Sequence, residues 1–195
     1  MLHNKYYLVL KEFLGDYNRE IYGRELLDKL KLSQKGIALA LKELEELFIL
    51  KSRTQGTLKY YGLNVPLLEI KDIIIMTEYE RKIRFMKNKI EIANIFHAAD
   101  ERIVGIFGSY SKGTQKKGSD IDVFIIGNKN RQDYYKKEGE LYGRDISIKY
   151  FSEKEWIKLI KEKNNLCVEI IRKHILFFGT ERFVNILWRD YYGFD

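Results

Sequence analysis

The sequence predicts two domains: a helical unit closed by a β-hairpin, then a larger α/β (α+β) unit built on a small mixed sheet. Three observations carry this reading. Residues 1–66 hold three apolar stripes at helical spacing, followed by two extended runs around a Gly turn. Residues 100–151 hold short apolar runs flanked by Gly, and the chain after Ser152 returns to helical spacing. The length of 195 residues suits one large domain or two small ones.

In chain order, Leu8, Leu10, Phe13 and Leu14 give the first helix its stripe, and Leu26, Leu27 and Leu30 the second. Ile37, Leu41, Leu44 and Leu47 mark a longer third helix, with Ser33 as its N-cap. Residues 49–53 and 58–63 are extended runs around Thr54-Gln55-Gly56-Thr57, a turn that puts Gly where a positive φ is needed. Pro66 closes this first domain. Residues 67–99 form a connecting segment and the first helix of the second domain. From 78 to 99 the positions Tyr79, Ile83, Met86, Ile90, Ala93 and His97 alternate spacings of four and three, one helical face. In residues 100–195, the segments 102–107, 121–126 and 144–151 read as three strands. Ser152-Glu153-Lys154-Glu155 has the form of a capping box opening a helix with Trp156, Leu159 and Ile160. Two more helical stretches, 166–175 and 181–191, flank Gly179. There is no internal repeat and no flexible linker.

Composition narrows the function classes. With 45 % hydrophobic and 32 % charged residues, 14 Gly and 1 Pro, collagenous, low-complexity and disordered readings fail. Lys plus Arg number 35 against 28 acids, giving +7 and a pI near 9.2, which favours a polyanionic partner. The excess is spread over both domains, +3 in residues 1–66 and +4 in 67–195. A single cysteine, Cys167, forms no intramolecular disulfide and no zinc cluster, His3 and His174 have no partner at metal-ligand spacing, and His97 is expected to pack on its helix. No run approaches the ~18 apolar residues of a membrane span. The start, Met-Leu-His-Asn-Lys, lacks a signal-peptide core, so a cytoplasmic protein without a membrane partner is expected.

Chemistry concentrates in Gly105-Ile106-Phe107-Gly108-Ser109-Tyr110-Ser111-Lys112-Gly113, continuing to Gly118-Ser119-Asp120-Ile121-Asp122-Val123. The order is strand, tight turn, short helix, loop, strand. Gly108 lets the backbone approach a ligand, and Ser109 stands where a helix starts and phosphate oxygens are held. Asp120 and Asp122, two apart on a strand, project from one face and can share hard cations through oxygen ligands. Asp145 enters the next strand, whose pairing beside Asp122 would bring a third carboxylate, unless it is a surface acid paired with Arg144. Glu140 and Glu153 are next in line for that role. In a two-metal transfer, Asp120 and Asp122 bridge both Mg²⁺ ions, while Asp145 completes the nucleophile side and accepts the hydroxyl proton. Ser109, Lys112, Lys116 and Lys117 would hold the leaving pyrophosphate, although these lysines also fit a solvated loop.

Gly108-Ser109, ten residues, then Asp120-Ile121-Asp122 resembles the DNA polymerase β-like nucleotidyltransferase superfamily, particularly its minimal nucleotidyltransferase branch, which includes antitoxins. The resemblance covers about 75 to 195 and implies a nucleotidyltransferase fold with catalytic Asp120, Asp122 and Asp145. The family usually has Arg where Lys112 stands; Lys keeps the charge but loses bidentate phosphate geometry. The implied reaction is Mg²⁺-dependent transfer of a nucleoside monophosphate, AMP from ATP, by an adenylyltransferase acting on a hydroxyl acceptor. In that branch some members AMPylate a partner toxin, often of the HEPN type, and others modify small molecules, so acceptor and nucleotide stay open.

Residues 1–66 are similar to winged helix-turn-helix domains, on Tyr22-Gly23-Arg24-Glu25-Leu26-Leu27, the turn at Leu32-Ser33, the third helix and the hairpin to Tyr60-Tyr61. As a DNA reader, that helix would present Gln34, Lys35 and Lys42 to the major groove, and the wing Arg53, Gln55 or Lys59 to phosphate or the minor groove. Such domains also dock proteins or form homodimers, so three partners are expected: a nucleoside triphosphate, a protein and DNA. An alternative whole-chain reading is a DNA-binding transcriptional regulator whose nucleotidyltransferase-like domain senses nucleotide.

Overall fold

A computed structural model of the chain describes residues 3–128 and 132–194. It divides into two compact units, one up to Glu80 and one spanning Arg81–Gly193.

The first unit runs α1 (Asn4–Leu10), a 3₁₀ turn (Lys11–Phe13), β1 (Ile21–Tyr22), α2 (Gly23–Leu27), α3 (Gln34–Glu46), β2 (Leu50–Gln55) and β3 (Leu58–Leu63). Leu10, Phe13 and Leu14 are buried as their stripe predicts, but regular helix stops at Leu10 because Leu14 is extended and Gly15 sits at φ +94°. Ser33 caps α3, its hydroxyl oxygen accepting the Gly36 N–H at 3.1 Å. Ile37, Ala40, Leu41 and Leu44 bury the face of α3, whereas Leu47 is 57 % exposed because it falls on the C-cap, past the helical phase. The hairpin turn lies one residue later than the spacing predicts, since β2 continues to Gln55, which pairs with Leu58 around Gly56 at φ +61°. A third strand, β1, adds Ile21 and Tyr22 opposite Tyr61 and Tyr60, giving an antiparallel sheet of order β1-β3-β2.

Helix α4 (Glu69–Asn88) starts nine residues before the predicted helix, and Lys89, at φ −139° and ψ 58°, separates it from α5 (Ile90–Ile95). That break overturns the single apolar face read from 78 to 99. Past the break Ile92, Ala93 and Ile95 turn inward and Ile90 and His97 outward, and before it Tyr79 and Ile83 of α4 are exposed as well.

The second unit continues with β4 (Ile103–Phe107), α6 (Gly108–Lys112), β5 (Ile121–Ile126), α7 (Gln132–Leu141) and β6 (Ile146–Phe151). It ends with α8 (Glu153–Lys161), α9 (Asn165–Arg172), β7 (Ile175–Phe178) and α10 (Thr180–Ile186), which passes into a π turn at Leu187–Tyr191. The sheet has order β6-β5-β4-β7; β5 and β6 run parallel and the other pairs antiparallel, so it is mixed as expected. It has four strands where three were predicted. The helix read over 166–175 ends at Arg172 because Lys173 is extended, and Ile175 begins a strand that fills the free edge of β4. Gly105 permits this packing: a Cβ there would lie 2.7 Å from the Ile175 carbonyl oxygen and from the Phe124 ring.

Alternation along the strands sorts the sheet into two faces. Val104, Ile106, Ile121, Val123, Ile125, Ile175 and Phe177 share one core with Ile92, Ile95, Tyr110 and Tyr135. On the opposite face Phe124 packs against Phe107, Trp156 and Phe183, with ring centroids 6.3, 6.4 and 5.9 Å apart. The predicted capping box holds α8 in place: Ser152 Oγ accepts the Glu155 N–H at 3.1 Å, and Glu155 returns a carboxylate oxygen to the Ser152 N–H at 3.4 Å. No helix among the described residues is long and apolar enough to cross a membrane.

Candidate active site

The last residue of β4, Phe107, stands opposite Asp122 of β5, and the chain turns immediately after it at Gly108, with φ +66°. A Cβ at Gly108 would collide with Asp122 Oδ2, so only glycine leaves that carboxylate its position. Asp122 lies on the Phe124 face, opposite the core of Ile121 and Val123, and Asp120 shares its side just before β5 begins. The Ser111 hydroxyl reaches the carbonyls of Gly108 at 3.0 Å and Lys173 at 3.1 Å, tying α6 to the end of α9.

That tie brings in a carboxylate that sequence spacing missed. Glu169 of α9 holds the Lys112 ammonium at 2.6 Å and acts electrostatically on Asp122. The Asp122 carboxyl titrates above its usual range, first because it is half-buried, then because Asp120 and Glu169 repel its charged form; Lys149 and Lys112 pull the other way. Glu169 stands on the polar side of an apolar helix, and nothing in its spacing links it to Asp122. Lys149 was readable, since Asp145, Ser147 and Lys149 are period-two polar positions leading into and along β6.

Asp145 is adjacent to Asp120, not to Asp122. Its carbonyl accepts the Ile121 N–H at 2.8 Å, and the register then sets Asp122 beside Ser147, two residues further along that strand. Arg144, the alternative partner of Asp145, is bound to Glu91 at 2.5 Å instead. Glu153 pairs with Arg182 and Glu140 is exposed. Lys116 and Lys117 line a polar cavity with Tyr110 and Arg144 on the other side of the sheet, away from Asp122.

The donor set suits a hard divalent cation. The Asp122 carboxylate stands over Gly108 with Asp120 near enough to repel its charge, and that repulsion is what such a cation relieves. Among the described residues no three His, Cys, Asp or Glu side chains are gathered as a closed metal cluster, so a third oxygen would come by movement or from substrate.

In the first unit, Gln34 and Lys35 are exposed at the start of α3, and Lys42 lies 3.5 Å from Glu46. The hairpin residues Arg53 and Lys59 are both engaged. Arg53 donates to Glu20 through Nε at 2.7 Å and Nη2 at 2.5 Å, and Lys59 donates to Glu45 at 2.7 Å.

The family model for the nucleotidyltransferase domain matches residues 87–184, which contain β4 to β7 with Asp120, Asp122, Asp145 and Glu169. Neither a curated protein nor a solved structure matches the chain.

Proposed function

Because this chain belongs to the nucleotidyltransferase domain family, we propose that it is a metal-dependent enzyme transferring AMP from ATP to a hydroxyl acceptor. The observation that carries the proposal is Asp122 of β5 against the Gly108 turn, with Asp120 just before the strand acting on it, within the matched segment.

Asp120 and Asp122 would hold Mg²⁺, as two ions, with Asp145 as the third carboxylate. Bound there, the cations neutralise the triphosphate and lower the pKa of the attacking hydroxyl. Ser109 and Lys112 receive the phosphates, and Lys112 leaves Glu169 to do so. The acceptor oxygen forms its bond to the α-phosphorus as the bond to pyrophosphate breaks, and Asp145 takes the hydroxyl proton.

The first unit supports an acceptor that is a protein, in the manner of an antitoxin modifying a partner toxin of the HEPN type. Its helices and three-stranded sheet fit the winged-helix reading, and the engagement of Arg53 and Lys59 by Glu20 and Glu45 favours a mixed-charge protein surface over a polyanion. The alternative, a DNA-binding regulator that senses nucleotide, is favoured by exposed Gln34 and Lys35 at the start of α3. A cytoplasmic location and a homodimer belong to the same proposal, the former supported by the free, buried Cys167.

The test is calorimetry with ATP plus a transfer assay with α-labelled ATP, Mg²⁺ and the product of the adjacent gene. Binding should require Mg²⁺ or Mn²⁺, and label should pass to the acceptor; both should vanish in Asp120→Asn with Asp122→Asn. Equal, metal-independent affinity in wild type and double variant overturns the proposal.

A further inference from the structure

The second unit holds a cavity of about 420 Å³ on the sheet face opposite Asp122. Its size lies in the range of small-molecule sites, about 300–1,000 Å³. Ile92 and Tyr110, which reach it from the core beneath Ile121 and Val123, fix it on that side. One wall is the 113–119 loop, held down by the Tyr110 hydroxyl donating to the Ser119 carbonyl at 3.3 Å and by the Lys116 N–H donating to Ser119 Oγ at 2.9 Å.

The lining carries Lys89, Lys116, Lys117 and Arg144 against a single carboxylate, Glu91, which Arg144 already occupies through Nη2 at 2.5 Å. Three lysine charges are left over. Two polar atoms of lining residues are buried without a hydrogen-bond partner, the acceptor Gln115 Oε1 and the donor Arg144 Nε. Buried orphans of this kind cost about 1–3 kcal/mol each, more for a charged group, and a ligand with matching groups removes that cost. Excess positive charge asks for an anion, Arg144 Nε for one of its oxygens, and Gln115 Oε1 for a nearby O–H or N–H.

We propose that this cavity is a second small-molecule site, separate from the carboxylate site, for a phosphate monoester that carries an N–H or O–H donor beside its phosphate. Mononucleotides belong to that class. The phosphate lies among Lys89, Lys116 and Lys117 with an oxygen toward Arg144, and the donor meets Gln115. No divalent cation is needed, because the lysines themselves neutralise the phosphate.

The test uses the full chain in EDTA, titrated calorimetrically with AMP, adenosine and inorganic phosphate. AMP should bind once per chain, at least about tenfold more tightly than either fragment, since each lacks half of the recognised groups. Lys89→Glu and Gln115→Leu should each weaken AMP about tenfold. Asp120→Asn with Asp122→Asn should leave AMP affinity within about twofold, which separates this site from the metal-dependent one; failure of ATP transfer would not touch it. Should Gln115→Leu not fold, amide shifts in wild type decide: AMP should move 115–117 and 144 and not 120–122. Undetectable AMP binding, AMP binding no tighter than phosphate, or AMP lost in the Asp120/Asp122 variant each overturns the proposal.

Discussion

The carboxylate of Asp122 lies against the α-carbon of Gly108, so that any Cβ at position 108 would meet Asp122 Oδ2. The turn and the acid therefore form one device: a positive-φ residue at the end of β4 makes the room that the acid on β5 occupies. Gly108→Ala should both strain the backbone, costing about 1–3 kcal/mol, and displace Asp122. The expected outcome is a lower thermal midpoint together with loss of metal-dependent ATP affinity by more than about tenfold. Wild-type metal-dependent binding in that variant would show that Asp122 does not need its present position to hold a cation.

Asp145 follows Asp120 in the strand pairing and Glu169 acts on Asp122, and their roles separate in kinetics. If Asp145 serves the attacking hydroxyl, Asp145→Asn should spare ATP affinity and cut single-turnover transfer on the order of 10²–10⁴. Glu169→Gln frees Lys112 and removes a charge that repels Asp122, so it should change ATP affinity more than rate. Measuring both quantities in both variants discriminates. A rate collapse in Glu169→Gln with no change in Asp145→Asn would exchange the assignments.

What could be read from the chain was local. Ser33 and the Ser152/Glu155 box are contacts three residues apart, and Gly108 with Asp120 and Asp122 lies within one strand-turn-strand segment, so spacing alone exposes them. What could not be read depends on partners distant in sequence. The two residues of β1 are too few to show a period and are extended because β3 pairs with them. Ile175 is a strand residue because Gly105 leaves space beside β4, and the apolar spacing around it is equally compatible with helix. Glu169 reaches Asp122 only through the tie between Ser111 and Lys173, which no linear pattern encodes.

The β2–β3 hairpin makes a prediction with an uncommon sign. If DNA is the partner of the first unit, Arg53 and Lys59 must leave Glu20 and Glu45 to reach phosphate, so those carboxylates oppose binding. Glu20→Gln with Glu45→Gln should then tighten DNA binding and steepen its fall with salt, while Lys35→Ala should weaken it. Mobility shifts over a salt series measure this. No binding in any of the three proteins at low salt would leave protein docking as the function of this unit.

Asp100 joins three segments of the second unit and should set its acid limit. Its carboxylate accepts the Arg102 N–H at 2.9 Å, Arg102 Nε at 2.8 Å and Nη2 at 2.6 Å, and the Tyr135 hydroxyl at 2.8 Å. Arg102 Nη1 goes on to the Asn128 carbonyl at 3.0 Å. Burial by itself would raise this carboxyl, but the Arg102 and Tyr135 hydrogen bonds prevail and bring it down from 3.8 to about 2. A folded-state value below the unfolded one means the stabilisation is complete above about pH 4 and lost as pH falls through about 2. It amounts to about 2 kcal/mol, since the side chain is only 6 % exposed. Asp100→Asn should cost about 3 kcal/mol near neutrality, because it leaves the Arg102 charge without its counterion, and much less at pH 2. Urea midpoints at pH 6, 4 and 2 for wild type and variant measure the convergence. Two parallel acid profiles would mean that carboxylates elsewhere, and not the Asp100–Arg102 pair, govern acid unfolding.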